Sequence, residues 1–166
     1  MTDRETNLRR NGEPWPFHHR DYPLRHRQHL PSTKEALNRA VHAVLRLIRS
    51  NPKAKDDPDL EIALREALAN ALIHGNGSRR SKKIFLRCYT GPESGVMILV
   101  RDEGGGFDPR LVPDPRHEDR KHLHHGRGLL LMRELMDYIE YRKNGREVLL
   151  FKNFSGGSPD LQVSRR

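Results

Sequence analysis

Glu66 and Asn70 stand four residues apart in the run Glu66-Ala67-Leu68-Ala69-Asn70-Ala71-Leu72-Ile73-His74-Gly75-Asn76, a spacing that puts both on one face of a helix. From that face a carboxylate can take a proton and an amide oxygen can reach a metal ion. Two glycine boxes follow, Asp102-Glu103-Gly104-Gly105-Gly106-Phe107 and Gly126-Arg127-Gly128-Leu129. Each piece alone has an ordinary explanation: the wet side of an amphipathic helix, a turn, a hinge before a helix. Their order carries more than their parts, because their roles are complementary.

Together they offer what a nucleoside triphosphate requires. Asn70 supplies a hard oxygen ligand of the kind Mg²⁺ prefers, and one protein ligand suffices for an ion that keeps several waters while bridging phosphates. Glu66, one turn earlier, is placed to accept a proton from a hydroxyl or water attacking the terminal phosphate. Asp102, before a glycine-rich turn, can accept a hydrogen bond from adenine's exocyclic amino group, where guanine presents an acceptor; this predicts ATP over GTP. Gly104 and Gly106 let backbone approach the base without a Cβ in the way. Gly126-Arg127-Gly128 leads into a helix whose free N–H groups favour phosphate. No Gly-Lys-Ser/Thr follows and no dinucleotide glycine spacing occurs, so Walker and Rossmann sites are set aside.

The elements that must position these residues are legible in outline. Residues 1–20 show no period and are expected to be a tail docking through Trp15 and Phe17; Tyr22–Leu30 reads as an edge strand interrupted by Pro23. Ser32-Thr33-Lys34-Glu35 reads as a capping box opening a helix in which Leu37, Val41, Val44 and Ile48 recur at helical spacing until Asn51-Pro52. Pro58 suits a first helical position, and that helix is expected to run to His74 and end at Gly75-Asn76-Gly77. Lys83–Thr90 and Val96–Asp102 predict a hairpin, Leu129, Met132, Leu135 and Met136 a third helix, and Tyr138–Arg142 with Glu147–Phe154 a closing hairpin around Asn144-Gly145. Residues 108–125 have no period and read as a functional lid. The spacing of His117, His122, His124 and His125 within it fits no common zinc pattern. Imidazoles that gain charge on mild acidification or touch phosphate are the preferred reading.

Composition bounds the rest. A chain of 166 residues with 34% hydrophobic and 32% charged supports one domain, drawn here at 21–154, with tails at 1–20 and 155–166. The net charge of +9 favours anionic partners. Nucleic acid is disfavoured, because no recognition motif accompanies the densest basic stretch, Arg79 to Arg87. The single Cys88 excludes an internal disulfide and fits a reducing compartment. No signal-like or membrane-spanning apolar run occurs, so no membrane role is expected and the cytoplasm is the default.

With all three boxes in place, the sequence resembles the histidine-kinase-like (Bergerat-type) ATPase superfamily, and in Glu66–Asn76 and Gly126–Asp137 especially its anti-sigma factor serine/threonine kinase branch. The similarity covers roughly residues 21–154. The resemblance implies an α/β (α+β) two-layer sandwich with helices on one face of a mixed, largely antiparallel sheet. It also implies a partner-switching role, in which such a protein holds a sigma factor inactive and phosphorylates a serine or threonine on a small antagonist. By position Glu66 resembles the catalytic base, Asn70 the magnesium ligand and Asp102 the adenine contact, with Gly104, Gly106, Gly126, Arg127 and Gly128 at the nucleotide loops. Kinases of this branch often carry an arginine just before the second glycine box; here His124 and His125 stand there, leaving Arg127, Arg120 or Lys121 as substitutes or transfer slow. A non-catalytic module that uses ATP to set partner affinity is the alternative, and a homodimer is left open. A sensor histidine kinase fits the boxes but not the architecture, since no long dimerising helical hairpin is present.

Overall fold

The apolar run from Gly95 to Arg101 lies inside the sheet, where a strand buried on both faces reads as continuous hydrophobics. The computed structural model describes residues 6–9, 22–51, 57–91, 95–112 and 127–154. Its strands are β1 (Thr6–Arg9), β2 (Leu24–Pro31), β3 (Lys83–Thr90), β4 (Gly95–Arg101), β5 (Tyr138–Arg142) and β6 (Glu147–Asn153). Its helices are α1 (Lys34–Arg49), α2 (Pro58–Asn70) and α3 (Arg127–Leu135). The strands form one sheet in the order β1-β5-β6-β4-β3-β2, and every pairing between them is antiparallel. This is the α/β architecture expected, with both hairpins in place.

Register separates two cores. Ile98 faces Leu150 and Val100 faces Val148, and these side chains join Leu64, Leu68 and Val44 from the helices in the main core. The alternate residues Met97, Leu149, Phe151 and Tyr138 lie on the opposite face, where they form a second buried cluster with Tyr22.

Three local outcomes differ from the sequence reading. Thr6–Arg9 pairs with β5, Thr6 opposite Tyr141 and Arg9 opposite Tyr138, although residues 1–20 show no strand period. Backbone pairing onto a sheet edge requires no alternation of side chains, so the pattern is silent. The capping box is not used as read: Thr33, not Ser32, is the N-cap of α1, accepting from the Ala36 N–H at 3.2 Å. Ser32 is drawn away because its hydroxyl donates to the Lys82 carbonyl at 3.0 Å and accepts from the Asn76 amide at 2.8 Å. The second helix does reach Gly75, but after Asn70 it widens into a π-helical turn, Ala71–Gly75, closed by the Asn76 N–H on the Ala71 carbonyl at 2.8 Å. Such turns are frequent at functional sites.

Candidate functional site

Helix α2 is set by its ends and its stripe. Asp57 caps it, accepting from the N–H groups of Asp59 and Leu60 at 3.0 and 3.2 Å, and Pro58 occupies its first turn. Leu60, Ala63, Leu64, Ala67 and Leu68 are buried, which turns Glu66 and Asn70 to the side facing α3. Both side chains converge there on Gly128. A Cβ on Gly128 would collide with the Glu66 carboxylate and lie 3.6 Å from Asn70 Nδ2. The pair is therefore not on a merely wet helix face.

Glu66, Asn70 and Gly128 line a cavity of about 670 Å³ that Val100, Tyr141 and Val148 border from the helix side of the sheet. That volume lies within the range of small-molecule sites. Its apolar wall includes Val100, Val148 and Met132, and Asp102, Gly106 and Phe107 also line it. Asp102 is only 9% exposed; its Oδ1 accepts from the Gly104 N–H at 2.7 Å. Burial pushes its pKa above the ordinary aspartate value, opposed by the Gly104 N–H and the charges of Arg146 and Lys82. A buried carboxylate in a largely apolar cavity is a directional acceptor, suited to one hydrogen-bond donor on a flat ligand.

The glycines of the first box have a packing role that the sequence reading did not give them. A Cβ on Gly104 would overlap the Gly75 carbonyl, and one on Gly106, at φ +81°, would overlap the Asn144 carbonyl. Their close approach is to the protein's own backbone, and only Gly106 of the two lines the cavity. Phe107 N–H donates to the Asn144 carbonyl at 2.9 Å and Asp102 N–H to that of Arg146 at 3.0 Å, so the β5–β6 turn holds the loop. Arg127 opens α3 without lining the cavity. Gly126, the lid from 113 onward and its four histidines lie outside the described residues, as do Arg120 and Lys121.

Several contributors went unread in the sequence. Asn76 is 1% exposed and joins three elements: it donates to Ser32 Oγ and, at 3.0 Å, to the Lys83 carbonyl, and accepts from the Glu103 N–H at 2.8 Å. Gly75 must be small because any Cβ there would strike the Asp102 carboxylate. Tyr141 also lines the cavity, edge-on to Phe107 at 5.7 Å, and its buried hydroxyl has no hydrogen-bond partner among the described residues. No group of three or more potential metal-ligating side chains occurs among the described residues.

Comparison with known proteins agrees with this geometry. The family model described as a histidine kinase-like ATPase domain matches residues 30–152. An anti-sigma F factor of Clostridium novyi is 29% identical over 61% of this chain and 74% of that protein. One of Clostridium beijerinckii is 28% identical over 75% and 89%. The serine-protein kinase RsbW of Bacillus velezensis is 31% identical over 63% and 69%. The chain belongs to the histidine kinase-like ATPase family, within the anti-sigma factor kinase branch that these relatives represent.

Proposed function

We propose that this protein is an ATP-dependent protein serine/threonine kinase that acts as an anti-sigma factor and phosphorylates an antagonist of that activity. The observation that carries the reading is the convergence of Glu66 and Asn70 on Gly128 in the same cavity that buried Asp102 lines. Adenine's amino group donates to the free oxygen of the Asp102 carboxylate, and Val100, Val148 and Met132 pack on the ring. The phosphates then extend toward the first turn of α3, where the direction of the N–H groups and the helix dipole favour anions. Asn70 is the residue that would hold Mg²⁺, which when bound offsets phosphate charge. Glu66 takes the proton of the attacking serine or threonine hydroxyl. Phosphoryl transfer relies mainly on positioning and electrostatics, so one correctly placed base and a fixed nucleotide suffice. The sigma factor and its antagonist are the partners this reading requires, and the cytoplasm is where they would meet.

Glu66→Gln keeps the shape of the side chain and removes the base. Nucleotide affinity is expected to stay within about twofold, while transfer of labelled terminal phosphate to the antagonist falls by at least about 100-fold. Undiminished transfer would remove Glu66 from the mechanism. Absent transfer by the unaltered chain, with ATP still bound, would favour the non-catalytic regulator.

A further inference from the structure

The sheet face turned away from the helices is basic on its β2–β3–β4 side, and nothing in the nucleotide reading uses it. Strand register puts Arg27 directly opposite Arg87, and His29 opposite Phe85, which is in turn opposite Arg101. Arg87 faces Leu99, which shares this side of the sheet. Directly opposed side chains on neighbouring strands are about 5 Å apart at Cβ, so Arg27 and Arg87 repel each other. No acidic residue occupies a register position on this side of β2, β3 or β4, and neither Arg27 nor Arg87 makes an ion pair among the described residues. On the neighbouring strand β6, Glu147 opposite Arg101 is buried and paired with Lys143 at 3.2 Å.

We propose that this face docks an acidic segment of a partner protein, whose carboxylates are taken by Arg27 and Arg87. Guanidinium groups bind carboxylates through two parallel hydrogen bonds, and a partner carboxylate between opposed arginines turns their repulsion into attraction. The aromatics beside the arginines argue against a nucleic acid: Tyr89 is half-buried against the apolar cluster of this face. Phe85 has Arg101 over its ring at 4.2 Å and His29 edge-on at 4.7 Å, so its face is already covered where a base would stack. The nucleotide cavity lies on the other side of the sheet, so both sites can be filled together.

The test is fluorescence anisotropy with the full chain and a short labelled glutamate-rich peptide at low ionic strength. Arg27→Glu/Arg87→Glu is expected to weaken binding by at least about tenfold. Arg79→Glu/Arg80→Glu, the same charge change on an exposed loop, should leave it within about twofold. If reversal impairs folding, judged by thermal unfolding, Arg27→Gln/Arg87→Gln takes its place with a smaller loss in the same direction. Equal losses at both sites, or no peptide binding at all, would overturn the proposal. So would tighter binding of a single-stranded oligonucleotide of matched charge that Arg27→Glu/Arg87→Glu abolishes, since it would make the face a nucleic-acid surface.

Discussion

At the scale of single residues, the proposed function asks Asp102 to meet the two demands on an adenine contact, burial for selectivity and ionisation for hydrogen bonding. Burial raises its pKa, so on lowering the pH it takes up a proton sooner than an ordinary aspartate. Because the folded value is raised, its stability contribution is fully present in acid and is lost as pH rises through that value. Ligand binding runs the opposite way, since the protonated group no longer presents a full charge to the adenine amino group. ATP affinity should therefore fall with acidification, starting above the ordinary aspartate range, while stability against urea loses less than the carboxylate count suggests. Both effects should flatten in Asp102→Asn, as read by ATP titration and urea unfolding across a pH series; an unaltered pH profile in that variant would exclude Asp102 as the titrating group. Glu66, Asn70 and Asp102 were legible in the sequence as candidates because residue type and local spacing mark them, and all three line one cavity. Gly75 and Tyr141 were not, because their roles come from contacts far away along the chain: Gly75 with Asp102, Tyr141 with Phe107.

At the scale of elements, the helices and hairpins followed from period and turn chemistry, while the joints between them did not. The widened turn Ala71–Gly75 brings Gly75 against the first glycine box, and Asn76 then binds that box to β3 and to the start of α1. A reader of the sequence sees Gly75-Asn76-Gly77 as a helix stop, since nothing local reveals that the amide is buried and satisfied by three separate segments. The same amide takes Ser32 from its expected capping role and leaves Thr33 to serve. Asn76→Ala removes these bonds and strands buried polar groups, so a loss of about 3 kcal/mol in urea unfolding is expected, with weaker ATP binding because Glu103 and Gly104 lose their anchor. A loss below about 1 kcal/mol would mean that solvent satisfies those groups instead.

At the scale of the molecule, the antiparallel sheet separates two working sides. Its helix face borders the cavity proposed for the nucleotide, and its other face carries an apolar cluster around Phe151 beside the basic surface of Arg27 and Arg87. The fold class was readable because both hairpins and the amphipathic α1 announce themselves. The β1 pairing at the sheet edge and the second core were not, because backbone pairing and two-sided burial leave little trace in alternation. No helix among the described residues is long and apolar enough to cross a membrane. The central claim is an adenine-selective nucleotide site, and calorimetric titration with Mg-ATP and Mg-GTP, alongside Asp102→Asn, tests it most directly. The account predicts heat of binding for ATP, at least about tenfold weaker GTP binding, and weakened ATP binding in the variant. Equal affinity for the two nucleotides, or ATP binding untouched by the substitution, would contradict it.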